Sequence, residues 1–424
     1  MTDRDRQRWI IVGAIFATMF FIWGGINCGA VFFVPVLKTF GWTRAKLSVA
    51  VSIGWITGGA AGPLIGMIAD RVNPKKMMIV GATITGLLWL GLSRATTFSE
   101  FLAINGLFGI CVGASTSIPT TLIIAGWFQD RRGLAMGIAY SGATLGGAAI
   151  TMTATYAIGW GGWRFGYLTL ALPILIVVVP AIMIFVQTTK SADARSVAAG
   201  GDGAAAARAR AAAPPIILPG LELAQARRTR SFWVICLVQM LAGLSAGMGA
   251  HFIAYLTGIG YTPATAATAM SLYLIGTTAG TLLGGPIADR FGARMAMVVT
   301  FGSAAVGMLG LLGASNVMAL GVNIVAGGFA AGALAVQMPL VMIESLGMRR
   351  LGSVMGITGV FYTFAAFASP IATGRIFDVT GRYSIAITAF FVMLAICSVA
   401  MLGMRPLERE QAQFAPIPAE SAAS

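Results

Sequence analysis

Long apolar runs alternate with short polar stretches along nearly the whole chain. A helix that crosses a bilayer needs about 20 mostly apolar residues. Such runs predict helices over 10–34, 47–69, 77–94, 99–127, 133–158 and 165–187, then 231–257, 266–288, 294–314, 316–343, 352–374 and 384–404. These twelve predicted spans fall into two sets of six. The stretch between them, with Gly200-Gly201, an alanine run from Ala204 to Ala207 and Pro214-Pro215, reads as a flexible linker whose alanines can form a short helix. The expected organisation is a six-helix bundle over 1–187, a linker over 188–230, a second bundle over 231–404 and a tail over 405–424. The first apolar run is a full span without a small-residue cleavage site, so it is expected to stay as a transmembrane helix.

Composition agrees. Of 424 residues, 57% are hydrophobic and 10% charged, against about 25% charged in a soluble domain. The net charge of +14 does not point to nucleic acid, because the basic residues sit in short loops and not on one solvated face. They carry topology information instead. With both termini on one side, 21 of the 28 Lys and Arg residues fall on that side. The other seven are Lys38, Arg44, Lys46, Arg94, Arg164, Arg375 and Arg382. The positive-inside rule therefore places both termini and the linker in the cytoplasm, and no Lys or Arg is left for the middle of a span. Cys28, Cys111, Cys236 and Cys397 each lie in an apolar run without metal-ligand spacing, so no metal, cofactor or disulfide framework is expected.

The halves repeat. Gly66-Met-Ile-Ala-Asp70-Arg71 with Lys75 matches Gly285-Pro-Ile-Ala-Asp289-Arg290 with Arg294, and both Asp70 to Asp289 and Lys75 to Arg294 span 219 positions. Arg131-Arg132-Gly-Leu-Ala-Met-Gly137 matches Arg349-Arg350-Leu-Gly-Ser-Val-Met-Gly356, and Gly137 to Gly356 is again 219. Repeated six-span halves are a transporter architecture, with the substrate site between them near the midplane. Asp70 stands at a helix end beside Arg71 and Lys75, where a carboxylate can accept charge-assisted hydrogen bonds or favour the positive N-terminal end of a neighbouring helix such as span eleven. Gly62 and Gly66 share one helix face and permit close backbone contact.

With these motifs the chain resembles the major facilitator superfamily. Gly62-Pro-Leu-Ile-Gly66-Met-Ile-Ala-Asp70-Arg71 resembles its signature between spans two and three. Gly126-Trp-Phe128-Gln-Asp-Arg131-Arg132-Gly-Leu134-Ala135-Met-Gly137 and Gly374-Arg-Ile-Phe-Asp378-Val-Thr-Gly381-Arg-Tyr383 are similar to segments of its monocarboxylate and oxalate/formate transporters. The resemblance implies an all-α integral membrane fold of twelve helices and a secondary transporter. It also implies that Asp70, Arg71, Lys75, Arg131, Arg132, Asp289, Arg290, Arg349 and Arg350 latch the cytoplasmic side during alternating access. The alternative for this cluster is a topology determinant with loop salt bridges. Asp130 and Glu344 are expected to be loop ion-pair partners.

For substrate or protons, the candidates are the polar residues of the spans. His251 is the only histidine, and Tyr255 lies one turn later on the same face. It could bind an anion, carry a proton or gate the outer mouth, or it could be an ordinary hydrogen-bonded interfacial residue. Asn27, Tyr140, Thr277, Thr281, Asn323, Gln337 and Tyr362 complete the candidate set. Trp23, Ser117, Gln239 and Tyr273 are further polar positions in the spans. Where monocarboxylate transporters carry a cavity lysine in span one, this chain has Asn27. Where they carry an Asp/Arg pair in span eight it has Thr277 and Thr281, and where oxalate-type relatives carry a basic residue in span eleven its most polar large side chain is Tyr362. The span-four arginine of drug/proton antiporters is Asn105 here, and their span-five Gly-Pro pair is absent.

The expected function is secondary active transport of a small organic solute across a bacterial inner membrane by a monomer, as a proton-coupled, monocarboxylate-like carrier. The alternatives are a carrier of a neutral or amphipathic metabolite and, in another class, a transporter-like sensor or assembly protein. An enzyme is not expected, since no nucleotide-binding loop or metal cluster appears. The expected partners are the solute, the bilayer and protons, and not nucleic acid.

Overall fold

The computed structural model describes residues 3–188 and 220–414. Apart from turns, these residues are helical, and no strand occurs among them. Span one is Asp3–Asn27 continued by Gly29–Phe40, span two is Arg44–Ala69, and span three is Pro74–Arg94. Span four is Phe98–Ser115 followed by Ser117–Trp127. Helical backbone then runs from Arg132 to Phe185, but Gly162 takes φ 75°, ψ 176° and divides it into span five (132–161) and span six (163–185). A positive φ costs glycine no Cβ clash, so the reversal falls there. Eleven continuous stretches are long and apolar enough to cross a membrane, and the division at Gly162 makes twelve spans.

In the second half, span seven is Arg230–Ser245 and Met248–Gly258, span eight Pro263–Phe291, and span nine Ala293–Leu312. Span ten is Val317–Val322 and Gly328–Leu346, joined by a π turn over Asn323–Gly327. Span eleven is Leu351–Thr380 and span twelve Ser384–Leu402. All twelve expected spans are present, several of them longer than hydropathy suggested. Span one, for instance, begins in the polar turn where Arg8 pairs with Asp5 at 2.8 Å.

Irregularities fall in spans one, four, seven and ten, at Cys28, at Thr116 (φ −120°, ψ −97°), at Ala246–Gly247 and in the π turn over Asn323–Gly327, and a second π turn, Ile174–Val178, lies in span six. Non-helical backbone inside a bilayer is tolerated where protein or a cavity, and not lipid, surrounds it. Cys28 and Gly247 are related by the repeat offset of 219. The close packing of glycines Gly24 and Gly25 against span five and Trp89 returns as Gly243 and Gly247 against span eleven.

Of the expected linker, residues 189–219 lie outside the described residues, as do 415–424 of the tail. The end of the linker is docked. Leu221 is buried and donates its N–H to the Leu346 carbonyl at 3.0 Å, and Gly220 bridges Gly347. Glu222 pairs with Arg349 at 2.9 Å and with Arg350 at 2.7 Å. A short helix beyond span twelve, Leu407–Ala412, buries Glu410, whose carboxylate accepts from the Ser231 N–H and hydroxyl at the start of span seven.

Candidate functional site

Two features lie between the halves: a seal on the side of the linker and a cavity beyond it. The seal begins with helix ends that their own sequence leaves uncapped. The residues before spans five and eleven are Arg131 and Arg350, and neither side chain caps its helix. The first N–H groups of any helix lack intrahelical partners. In both cases the other half supplies a carboxylate. Asp70, at the end of span two, accepts from Gly352 N–H (2.8 Å), Ser353 N–H (3.0 Å) and the Ser353 hydroxyl (2.5 Å). Asp289, at the end of span eight, accepts from Gly133 N–H (2.7 Å) and Leu134 N–H (2.9 Å). The two contacts are counterparts across the repeat, each pairing a carboxylate with the second and third residues of the opposite helix.

Backbone contact reinforces both. A Cβ on Gly66 would lie 2.1 Å from the Gly352 carbonyl oxygen, and one on Gly356 would lie 2.2 Å from that of Gly62. At the second contact, a Cβ on Gly285 would lie 1.9 Å from the Gly133 oxygen. Only glycine permits this approach. Toward the opposite ends of these spans, Trp55, Tyr156, Ile275 and Ile371 are all more than half exposed. The halves thus touch on the linker side.

The basic residues expected to latch this face divide into groups. Arg350 and Arg349 are held by Glu222. The Arg132 guanidinium donates to the Phe128 carbonyl at 3.0 Å and to that of Ala125 at 3.2 Å. Lys75 donates to the Met183 carbonyl at 2.7 Å, Arg290 lies over the Phe291 ring, and Arg71 and Arg131 are exposed. The hydrogen-bond donors to Asp70 are therefore the N-terminus and a serine of span eleven. The adjacent Arg71 and Lys75 are not among them, because the carboxylate points across the interface. Glu344 also departs from the expected ion pair: it accepts from Ala293 N–H at 2.8 Å and so caps span nine. Burial pushes the Asp70 carboxyl above its ordinary range, opposed by the Ser353 and Gly352 hydrogen bonds and the Arg350 charge. The hydrogen bond from Arg350 holds Glu222 below its ordinary range, and the same bond raises Arg350.

The cavity has a volume of about 540 Å³ and draws its walls from both halves, within the size range of small-molecule sites. Tyr140, Thr277, Thr281 and Tyr362 of the expected set line it, together with Trp23, Ser117, Thr144, Gln239 and Tyr273. Met19, Met308, Met338, Met342 and Met355 supply much of the apolar wall. Among the described residues, no Asp, Glu, Lys, Arg or His lines it.

The remaining candidates sit elsewhere. Asn27 is exposed one turn beyond Trp23 on the same face, and its amide reaches the Ala143 carbonyl at 3.4 Å. Asn323 and Gln337 are buried and join helices, donating to Gly307 O (2.9 Å) and Gly284 O (3.1 Å). The Tyr255 hydroxyl donates to Leu311 O at 2.9 Å. His251 spans two contacts, Nε2 to the Pro370 carbonyl at 3.0 Å and Nδ1 to the Tyr383 hydroxyl at 3.2 Å. Since a carbonyl only accepts, Nε2 carries a proton, and a neutral ring then accepts from Tyr383. This geometry ties span seven to span eleven and to the start of span twelve, away from the cavity walls. Tyr273 is legible in hindsight: it begins the stripe Tyr273, Thr277, Thr281 at helical spacing.

Two repeated six-helix halves, sealed together on one side around a central cavity, define a polytopic helical protein with transporter architecture. The chain belongs to the Major Facilitator Superfamily, whose family model matches residues 11–262 and 235–422. It is a multi-pass membrane protein. Monocarboxylate transporter 13 of Bos taurus is 24% identical over 405 residues, covering 93% of this chain and 88% of that one. Among solved structures, the proton:xylose symporter XylE shares the fold at TM-score 0.72 and 12% identity, covering 97% of this chain and 100% of that one. The E. coli fucose:proton symporter FucP does so at TM-score 0.67 and 12% identity, covering 92% and 97%.

Proposed function

We propose that this protein is a secondary transporter that moves a small organic solute by alternating access, described here in its state closed toward the cytoplasm. The observation that carries the reading is the pair of repeat-related carboxylate caps, Asp70 on span eleven and Asp289 on span five. Each joins one half to the other through groups that water can replace once the halves separate. Sliding the halves apart on that side while closing them on the other exposes the cavity alternately. The linker side is the cytoplasmic side by the Lys and Arg count, the alanine- and arginine-rich loop composition favours a bacterial inner membrane, and the two bundles, 1–187 and 231–404, act as the moving bodies of a monomer. Energy comes from a solute gradient or from exchange.

A second reading, a proton-coupled carrier of a monocarboxylate, is favoured by the resemblance to monocarboxylate transporter 13 along most of its length. The cavity offers such a solute no fixed cation, so an acid would enter as its neutral form and bring its proton with it.

Uptake into proteoliposomes tests both. The panel holds lactate, pyruvate, formate, oxalate and aromatic acids, plus neutral metabolites, each with and without an inward proton gradient. Saturable flux of any solute supports transport, and gradient-driven flux of an acid selects the second reading. No flux across the whole panel, with partner-dependent signalling in cells, would favour the sensor alternative.

A further inference from the structure

The cavity's polar groups fall into two sets. One set is already engaged within the protein. The Tyr140 hydroxyl donates to the Ser117 carbonyl (3.2 Å) and meets Thr121 (3.1 Å). Thr144, Thr277, Thr281 and Thr363 return their hydroxyl protons to carbonyls of their own helices. The other set makes no hydrogen bond within the described residues: the Trp23 indole N–H, the Gln239 amide and the hydroxyls of Ser117, Tyr273 and Tyr362. They come from spans one, four, seven, eight and eleven, so both halves contribute. Tyr362 is 42% exposed although it lies deep between the halves, and that exposure is toward the cavity.

All five uncommitted groups are neutral at physiological pH. They stand among five methionines, Phe301 and Leu394. An ionised carboxylate or ammonium placed here would lose its hydration and meet no opposite charge, a cost that dipoles of this number and strength do not offset. Flexible thioethers and aromatic rings instead favour flat, polarisable surfaces. The free groups suit carbonyl, ether or hydroxyl oxygens at the edges of such a body, since Trp23 can only donate while Gln239 and the two phenols can donate or accept.

We infer that the cavity takes an uncharged aromatic or conjugated solute carrying a few oxygen functions, held at its edges by Trp23, Gln239, Tyr273 and Tyr362. This rests on the reading of the cavity as the transport site. It makes a free carboxylate a poor ligand. An acid with an ordinary pKa near 4 is neutral in only about one part in a thousand at pH 7, so its apparent affinity would improve about tenfold for each unit that pH falls.

The test uses the purified full chain and two matched fluorescent probes, methoxycoumarin and its carboxylate derivative, titrated at pH 7.5 and followed by tryptophan-to-coumarin energy transfer. The expected result is saturable binding of the neutral probe, with the carboxylate at least tenfold weaker and the gap closing toward pH 5. Tyr362→Phe, which removes a hydroxyl and keeps the ring, and Trp23→Phe, which removes the indole N–H and leaves a smaller ring, are each expected to weaken the neutral probe about three- to tenfold. Equal or tighter binding of the carboxylate at pH 7.5 overturns the inference, as does absence of saturable neutral binding. So does neutral binding that both variants leave untouched, because the probe would then sit outside this cavity. Counterflow of the same probes in proteoliposomes separates the two claims. Neutral binding without counterflow refutes transport and leaves the site assignment standing, and counterflow of the carboxylate alone does the reverse.

Discussion

Asp70→Ala removes the acceptor of two backbone N–H groups and one serine hydroxyl at the start of span eleven. Hydrogen bonds to a charged group are worth about 1.5–3 kcal/mol each when nothing replaces them, and a negative charge at a helix N-terminus adds about 0.3–1 kcal/mol. Two terms oppose this. Water caps the freed N–H groups once the seal opens, and burial already disfavours the ionised carboxyl, as its raised pKa direction shows. The net loss is about 1–2 kcal/mol per site, or about five- to thirtyfold in the ratio of sealed to open states. Asp289→Ala has the same consequence on span five, and the two combine multiplicatively if the sites are independent. The sign of the pH effect follows from the same burial. The sealed state holds its Asp70 proton more tightly than a state in which Asp70 is hydrated, so acidification through the raised value shifts the population toward the sealed state, and Asp70→Asn is milder than Asp70→Ala. The assay introduces Met342→Cys in the cavity wall and measures its labelling by a charged thiol reagent added from the linker side only. The four native cysteines are buried and give little background. Labelling at least fivefold faster in each alanine variant is expected. Rates unchanged in both single variants and in the double variant would refute the capping argument.

His251→Phe loses both of its hydrogen bonds, to Pro370 and Tyr383, and is expected to cost about 1–3 kcal/mol of stability. The melting temperature should fall while the surviving protein keeps its flux, and loss of proton-driven flux without a change in melting would instead make His251 a proton carrier. Gln337→Leu removes one join to Gly284 and is expected to change stability by no more than about 0.6 kcal/mol with solute binding intact, read by melting and by probe titration. Glu222→Gln breaks both ion pairs that dock the linker, and hydrogen exchange over 346–350 should quicken. Because Glu222 is held below its ordinary range, docking in the unmodified chain is fully present above that range and is lost only as pH falls through the lowered value, so protection there, relative to the intrinsic exchange rate at each pH, should be flat from pH 8 to pH 5.

The spans were legible because each needs a long apolar run, and the repeat was legible because the seal demands the same residues twice. Glycines at 62, 66 and 285 and carboxylates at 70 and 289 serve backbone contacts that no other residue type makes. The direction in which Asp70 points was harder to read. Its neighbours in sequence, Arg71 and Lys75, suggested a local charge cluster, whereas its partners lie 282 and 283 positions away. The cavity was legible only in part, since hydropathy identifies a polar residue in a span without showing whether its hydroxyl is engaged by its own helix. Thr277 and Thr281 reach the wall but return their protons to span eight. Gln239 and Tyr273, with nothing to mark them except helical register, keep theirs. His251 drew notice because it is the only histidine in the chain, yet two precise protein partners hold it away from the cavity. Physical uniqueness in a sequence is a weaker signal than position on a helix face.

The most direct test of alternating access is a pair of distances measured by spin labelling in lipid. One pair, Val72→Cys with Arg228→Cys, reports on the linker side, and the other, Ser99→Cys with Ser315→Cys, on the far side; all four positions are exposed. The unmodified seal predicts a short linker-side and a long far-side distance. Gly66→Leu places atoms where the Gly352 carbonyl now lies, so it should lengthen the first distance and shorten the second together. If the linker side loosens while the far side stays open, or if neither distance moves, the halves do not act as coupled bodies and the account of this protein as an alternating-access transporter is contradicted.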